Sequence, residues 1–405
     1  VAVTQSINTD GTVSCTYSTR VAGMYTLTVR ISGEDVLGSP YSVQVRPAES
    51  VALWSEVRAQ NLLSIVGETV TFGVVAKDQF RNLQVYDAYK GPDAFEAKLV
   101  EANKGVEVVA KMQNNEDGTY IFSYSATVSG TYSLDVTLRG EPVDRFDELT
   151  VTSGVVTTDK CSAVGMSPVI VAGESRTLLI SARDLFGNLV PEGFETFNVS
   201  VATATRSNVR GLGVASYCGP QQCIGAAARC PCPRGLTLGV YALTLALETA
   251  GSYTMSIIHN TFQIPGFPYA FTVDHSFAYT ARTTVVGCEG VCSAQRPACS
   301  SSCIGCTCPV LATVQAGVEA SFVLQSRDMF GNPFKQGRKA FRITARKRVP
   351  AGRTECLRSE GCVPAFVEGS VVDALDGTYR VSWVLAVLGE YDVAVTRSRE
   401  HIEGS

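Results

Sequence analysis

The chain has 405 residues and a formal net charge of −4, and 45% of its residues are hydrophobic while only 18% are charged. This acidic balance argues against a nucleic-acid-binding surface, which normally appears as a basic domain. Its three histidines, His259, His275 and His401, disfavour a histidine-based catalytic or zinc centre, and no apolar run approaches the roughly 20 residues that a membrane-spanning helix needs.

A first signature, Asp-Gly-Thr followed by an apolar or aromatic residue, begins at Asp10 and recurs further along the chain. The copies occupy 10–13, 117–120 and 376–379, with a degenerate copy at 238–241. A Gly-x-Tyr element follows each copy at the same distance, beginning at Gly23, Gly130, Gly251 and Gly389. Recurrence at a fixed spacing indicates an array of repeats.

A second signature, Asp-x-Phe-x-Asn, lies between copies of the first. It occupies 78–82, 184–188 and 328–332, and a glycine precedes each aspartate by the same interval, at Gly67, Gly173 and Gly317. We interpret these aspartates as turn residues that bind local backbone, because the carboxylate density is too low for a calcium shell of six to eight oxygens.

The residues between the signatures alternate in polarity. Val70, Phe72 and Val74 fall on one side of an extended segment, and Tyr120 and Phe122 do so on another. Period-two alternation with frequent turn residues predicts antiparallel strands in a sandwich. No segment shows a helical stripe, so the fold class is predicted to be all-β.

These residues resemble the filamin-type immunoglobulin-like repeat. Asp-Gly-Thr-Tyr, Gly-x-Tyr and a Gly-Ser-Pro-aromatic ending at 38–41, with a variant at 265–269, are similar to its C-terminal half. Asp-x-Phe-Gly-Asn is similar to its N-terminal half. Arg81 replaces the glycine of that element, Leu238 replaces the aspartate of the first, and Glu141-Pro142 stands where Gly-Ser-Pro is expected. The resemblance implies tandem sandwiches that bind a partner strand at an exposed sheet edge.

The signatures divide the chain into one half repeat and three full ones. We predict the C-terminal half of a repeat at 1–46 and full repeats at 47–152, 153–274 and 275–405, the last without its final strand. The chain is expected to be a piece of a longer protein, and an incomplete sandwich leaves an open core.

Three insertions interrupt the repeats, and each contains an even number of cysteines. They are a loop at 208–235 and inserts at 288–308 and 356–362. Even clusters predict disulfide-stapled loops in an oxidising compartment. The twelve candidates are Cys218, Cys223, Cys230, Cys232, Cys288, Cys292, Cys299, Cys303, Cys306, Cys308, Cys356 and Cys362.

Two other interpretations of the clustered cysteines, zinc binding and redox activity, remain as alternatives to disulfides. Cys230-x-Cys232, Cys306-x-Cys308 and pairs within 288–308 could hold structural zinc, and a redox role for Cys303-x-x-Cys306 lacks the usual βαβ context. Cys15 falls on the inward side of its predicted strand, so we expect a buried thiol. Cys161 could be free, or could reach a cysteine insert or another chain.

One glycosylation sequon, Asn198-Val199-Ser200, lies in a predicted strand whose apolar residues face inward, so Asn198 is expected to face outward. No Ser-His-Asp set, phosphate loop or cofactor motif is evident, and no cofactor is expected. We interpret His259 and His275 as packing or surface residues.

The sequence therefore predicts a non-enzymatic structural protein, part of an extracellular or cell-surface array that serves as a spacer, fibre or adhesion element. Its expected partners are other protein chains, through self-assembly or at a surface, with neither nucleic acid nor direct membrane insertion. One alternative is an intracellular cytoskeletal or ciliary scaffold with reduced or zinc-binding cysteines. Another is a component of a surface coat or flagellar appendage.

Overall fold

The computed structural model describes residues 2–85, 91–203, 206–218, 238–288, 313–348 and 366–402. Within these ranges the chain forms β-strands and three short 3-10 helices but no α-helix, which confirms the all-β expectation. No helix in these ranges is long and apolar enough to cross a membrane. The chain divides into two compact units. The first comprises Val1–Cys161, Ser181–Gly193 and Thr237–Gly239, and the second comprises Ser162–Ile180, Phe194–Leu236 and Val240–Ser405.

The described residues of the first unit form fifteen strands and two 3-10 helices, Ala52–Trp54 and Thr158–Lys160. The strands are β1 (Ala2–Ile7), β2 (Val13–Ser18), β3 (Gly23–Leu27), β4 (Arg30–Ile31), β5 (Glu34–Asp35), β6 (Tyr41–Val45), β7 (Glu56–Arg58), β8 (Ser64–Ile65), β9 (Val70–Val75), β10 (Phe95–Glu101), β11 (Glu107–Val109), β12 (Lys111–Asn114), β13 (Thr119–Tyr124), β14 (Gly130–Leu138) and β15 (Glu141–Thr152).

The first full repeat is a two-layer sandwich. One sheet has the order β11-β10-β14-β15-β8 and the other β12-β13-β9-β7, and all these pairs are antiparallel except β15 with β8. The inward residues of both sheets share one core, in which Phe72 stacks on Phe122 at 5.3 Å and packs with Leu99 and Leu134. The alternation predicted for β9 and β13 is therefore confirmed.

The half repeat at 1–46 has no such core. It forms three two-stranded sheets, β1-β2, β3-β6 and β4-β5, and none of its described residues is buried. Cys15 pairs with Gln5 across β1 and β2 and is exposed, so the expectation of a buried thiol was wrong. All six residues of β2 are exposed, so neither face of this strand is buried.

Among the described residues of the second unit are eighteen strands, one of which extends by one residue into the first unit, and the 3-10 helix Thr280–Arg282. The strands are β16 (Ser162–Val164), β17 (Val169–Val171), β18 (Ser175–Ser181), β19 (Asn198–Thr203), β20 (Arg206–Val214), β21 (Ser216–Tyr217), β22 (Val240–Ala246), β23 (Gly251–His259), β24 (Phe262–Gln263), β25 (Tyr269–Asp274), β26 (Thr284–Cys288), β27 (Glu319–Gln325), β28 (Arg342–Lys347), β29 (Phe366–Glu368), β30 (Ser370–Asp373), β31 (Thr378–Val384), β32 (Tyr391–Arg397) and β33 (Glu400–His401).

These strands repeat the sheet orders of the first unit. The sheets are β16-β18-β22-β21 and β17-β25-β23-β19-β20, with β24 on β23, followed by β26-β27-β31-β30 and β29-β28-β32-β33. The last two share a core that contains Phe322, Ile343, Tyr379 and Trp383. The beginning of the loop predicted at 208–235 is regular, because β20 and β21 extend through it.

Candidate functional site: the repeat junctions

The aspartate of each Asp-x-Phe-x-Asn element is fully buried, and its carboxylate accepts hydrogen bonds from four N–H groups. Asp328 Oδ1 accepts from the backbone N–H of Phe330 at 3.0 Å and of Asn332 at 2.8 Å. Its Oδ2 accepts from Asn332 Nδ2 at 2.9 Å and from the backbone N–H of Ser276 at 2.8 Å. The expected bonds between the aspartate and the backbone of its own turn are confirmed. The bond from Ser276 also connects the aspartate to the linker that leads into the repeat.

The same arrangement occurs at the other two copies. The corresponding contacts join Asp78 to Phe80, Asn82 and Ala48, and Asp184 to Phe186, Asn188 and Gly154, all at 2.8–3.2 Å. The described residues contain no group of three or more His, Cys, Asp or Glu side chains able to hold a metal ion. Each carboxylate connects its own turn with the linker that precedes it through these bonds.

Hydrogen bonds hold these carboxylates in the charged form. Burial, the largest single influence, raises the pKa of Asp328, but bonds from the Asn332 side chain and from three backbone N–H groups together lower that pKa below its ordinary value. The pKa values of Asp78 and Asp184 are lowered by the same balance of causes. A carboxylate that accepts several N–H groups keeps its charge even when it is buried.

The asparagine of each element binds backbone of the preceding repeat. Asn332 Nδ2 donates to the carbonyl oxygen of Glu248 at 2.6 Å, and Asn332 Oδ1 accepts from the N–H of Ala250 at 2.7 Å. The equivalent bonds join Asn82 to Arg20 and Ala22, and Asn188 to Thr127 and Ser129, at 2.9–3.0 Å. Each junction lies within one compact unit.

The Gly-x-Tyr element shapes the loop that receives the asparagine. The hydroxyl of Tyr253 donates to the carbonyl oxygen of Thr249 at 2.8 Å, in the middle of the bound segment. Gly173 N–H fixes the start of the loop by donating to Leu247 O at 2.8 Å. Equivalent tyrosine bonds reach four residues upstream from Tyr25, Tyr132 and Tyr391. We call this bound loop, with its early glycine, the docking loop.

A phenylalanine completes each junction between full repeats. The ring of Phe186 lies against Gly67, where an added Cβ would fall 2.7 Å from it, and the ring of Phe330 lies against Gly173 in the same way. Both glycines have a left-handed backbone, with φ of +82° and +78°, which favours glycine. The early glycine therefore has two roles: it adopts the backbone conformation of the turn, and it leaves room for the phenylalanine ring of the next repeat.

Arg81 departs from the pattern at the first junction. It adopts φ of 67°, where the other copies place Gly187 and Gly331 at 88° and 87°. Its guanidinium lies 4.0 Å from the centroid of the Trp54 ring, a cation–π contact. This contact offsets part of the backbone strain that a non-glycine residue has in the left-handed region.

Most of the predicted cysteine sites lie outside the described residues. Cys218 is buried beside Val240 and Ala242 and is disulfide-bonded, and the backbone of Cys288 ends β26. Cys161 is buried, with its Sγ 3.5 Å from the carbonyl oxygen of Thr157. The candidates outside the described residues are Cys223, Cys230, Cys232, Cys292, Cys299, Cys303, Cys306, Cys308, Cys356 and Cys362.

Asn198 and His259 are both in the second full repeat. Asn198 is exposed at the start of β19, as predicted for the sequon. His259 is fully buried, its ring stacks on Phe197 with centroids 5.0 Å apart, and its Nε2 lies 2.6 Å from Glu195 Oε2. Packing of His259 was expected, but the carboxylate partner was not, because Glu195 is distant in sequence.

One edge strand of the second full repeat, β20, is longer than the corresponding edge strands of the other two full repeats. β20 spans nine residues and pairs along the whole of β19, whereas the corresponding edge strands β11 and β29 have three residues each. An edge strand presents a row of backbone N–H and C=O groups that can pair with another strand. The second full repeat therefore offers the longest such edge among the described strands.

The Filamin/ABP280 repeat family model matches residues 48–146 and 298–405, just over half of the chain. The chain belongs to the filamin-repeat family. Both matched regions contain an Asp-x-Phe-x-Asn turn, at 78–82 and at 328–332.

Filamin-C from Mus musculus is 28% identical over 187 residues, which cover 44% of this chain and 6% of that protein. The filamin-type chain thus spans a small part of the curated relatives that it matches. Among solved structures, the Escherichia coli adhesin FdeC is similar with a TM-score of 0.46 and 17% identity, covering 88% of this chain and 96% of that one. Yersinia pseudotuberculosis InvD has a TM-score of 0.39 and 13% identity, covering 87% and 96%.

Proposed function

We propose that this chain is a non-enzymatic spacer within a longer array of filamin-type repeats. The observation that carries the proposal is the repeated junction. At all three junctions an asparagine binds backbone of the preceding repeat and an aspartate binds the linker, and at two of them a phenylalanine also covers the early glycine. In a tandem array each repeat contacts mainly its neighbours. Fixed junctions suit a structural or adhesion element, which must hold its binding surfaces at a set distance.

The test removes the asparagine contacts at all junctions together. In the triple variant Asn82→Ala, Asn188→Ala, Asn332→Ala, each docking loop loses one acceptor and one donor, and buried groups without partners destabilise the contact. Small-angle scattering is expected to change from one narrow distribution of dimensions to a broad one. The double variant Asn8→Ala, Asn115→Ala is the control, because the side chains of these asparagines bond to exposed residues close in sequence, Asn8 to Thr12 and Ser14 and Asn115 to Thr119. An unchanged distribution in the triple variant would refute the spacer proposal.

We further propose that the array is extracellular or at a cell surface, where the cysteine inserts form disulfide-stapled loops and Asn198 carries a glycan. The paired, buried Cys218 supports this proposal, as does the exposure of Asn198. Long polar loops bury little apolar surface, and cross-links reduce the entropy that they lose on ordering. Such loops and the long edge strand β20 are suited to partner proteins, since binding residues often lie on loops held by a rigid scaffold.

Alkylation of the native protein, with intact mass measured before and after reduction, tests the compartment. We expect the twelve cysteines of the inserts to resist alkylation until reduction, with no zinc released by a chelator. Exposed Cys15 is the internal control and should react without reduction. Ready alkylation of the insert cysteines, or stoichiometric zinc, would instead favour the intracellular scaffold with reduced or metal-bound cysteines.

A further inference from the structure

The third full repeat has a docking loop of its own. Gly317 N–H donates to the carbonyl oxygen of Leu385 at 2.8 Å, and the hydroxyl of Tyr391 donates to Val387 O at 3.0 Å. Gly389 has φ of 152°, close to the 159° and 156° at the same position of the two preceding repeats. The loop at 386–388 is therefore preformed in the conformation that binds an asparagine elsewhere.

Unlike the other docking loops, this one faces no turn among the described residues. Leu388 is 82% exposed, and no described atom lies within 4 Å of a Cβ built on Gly317, where a phenylalanine ring covers both Gly67 and Gly173. The N–H of Leu388 and the carbonyl oxygen of Ala386 take the places of the groups that bind Asn332 in the preceding repeat. Neither forms a hydrogen bond with the described part of the chain.

We propose that Gly317 and residues 386–388 are a docking surface for the Asp-x-Phe-x-Asn turn of a further filamin-type repeat, joined in the same polypeptide after the last strand. The phenylalanine of that turn covers Gly317, and its asparagine accepts from the N–H of Leu388 and donates to the carbonyl oxygen of Ala386. The inference rests on the proposed spacer function and names the partner of its last repeat.

The occupied junctions show why the partner belongs to the same polypeptide. At both junctions between full repeats, the aspartate of the turn also accepts from a linker N–H, that of Gly154 or Ser276, two residues beyond the end of β15 or β25. The linker thus continues the last strand of the repeat that carries the docking loop. A turn from a separate molecule would lack this bond and the high effective concentration that a short connection provides.

The experiment extends the chain with its own residues. Ile402 matches Ile264, since each donates its N–H back to the preceding long strand, to Val395 O at 3.1 Å and to Ile257 O at 3.2 Å. Residues 265–405 are therefore placed after Ile402, which adds a last strand, a linker and a second copy of the turn at 328–332. Hydrogen exchange of the Leu388 amide is expected to slow by about tenfold or more relative to the original chain.

A matched variant assigns the protection to the proposed contact. The extended chain with Asn332→Ala in the added copy only should lose most of the Leu388 protection, and equal protection with and without that asparagine would overturn the inference. If the first extension does not fold, a second extension is made after Ile402. It consists of residues 265–274 followed by residues 153–274, and it supplies the turn at 184–188 in place of the turn at 328–332.

The amides of Ser129 and Ala250, which donate to Asn188 and Asn332, separate this inference from the spacer proposal. Fast exchange at Leu388 in the extended chain, with Ser129 and Ala250 still protected, overturns only the inference. Fast exchange at Ser129 and Ala250 in the original chain would instead refute the junctions themselves.

Discussion

Replacing Asp328 by asparagine is expected to lower the free energy of unfolding of the third full repeat by about 3 kcal/mol, since hydrogen bonds to a charged group are strong and leaving their buried partners unmet adds a further penalty. The carboxylate accepts four N–H groups, and an amide of the same shape can accept at only one of its two terminal atoms. The NH₂ group of the new amide would then face donors in place of an acceptor.

The two tryptophans allow this change to be measured in one repeat. Trp383 is buried in the core of the third full repeat, while Trp54 belongs to the first. In a Trp54→Phe background, urea unfolding followed by Trp383 fluorescence reports on the repeat that contains Asp328. Asp376→Asn is the control, because Asp376 is an exposed turn residue of the same repeat whose bonds are to Thr378 alone. Equal shifts for Asp328→Asn and Asp376→Asn would contradict the proposed importance of the junction carboxylate.

The lowered pKa of Asp328 also predicts a pH dependence with a definite sign. Because the folded state favours the ionised form, its contribution to stability is fully present above the ordinary carboxyl pKa near 3.8 and is lost as the pH falls through the lower folded value. The Trp383 transition should therefore weaken as the pH falls below about 4. Asp328→Asn should flatten this dependence in the same window, and an unchanged slope would argue against the ionised carboxylate.

The hydrogen bonds of the aspartate within its own turn could be predicted from the sequence. The hydrogen bonds of the asparagine to the preceding repeat could not. The fixed position of the aspartate in three copies indicated a turn, and the structure places its carboxylate on turn N–H groups as predicted. Asn332 and its two counterparts were equally constant, even where Arg81 replaced the adjacent glycine. That constancy was the available signal, but the atoms that the asparagines bind are backbone atoms, which any residue supplies and no motif marks.

Alternation predicted the strands well, but it could not reveal which faces are covered. The inward positions of β9 and β13 are buried in a core that two sheets share, whereas the same positions of β2 are exposed and none of the described residues of the half repeat is buried. Cys15 shows the consequence. A pattern within one strand defines a face, and the burial of that face depends on strands that lie elsewhere.

Replacing Gly67 by alanine is expected to weaken the first full repeat more than Gly317→Ala weakens the third. Both glycines have left-handed φ values, +82° and +80°, so both changes carry a strain of about 1–2 kcal/mol. Only at Gly67 does the new methyl group also meet a ring, that of Phe186, and such overpacking adds about 1 kcal/mol or more. Urea unfolding followed by Trp54 fluorescence in a Trp383→Phe background measures the effect of Gly67→Ala on the first full repeat. Trp383 fluorescence in a Trp54→Phe background measures the effect of Gly317→Ala on the third.

A double-mutant cycle separates the ring contact from the strain. Phe186 is 45% exposed, so Phe186→Ala alone should have a modest effect, but in its presence Gly67→Ala should cost only the strain that Gly317→Ala costs. A coupling free energy of about 1 kcal/mol between the two positions would place the phenylalanine in the junction as an energetic contact. Without such coupling, the ring would merely lie near Gly67, and the hydrogen bonds of the aspartate and asparagine would hold consecutive repeats together.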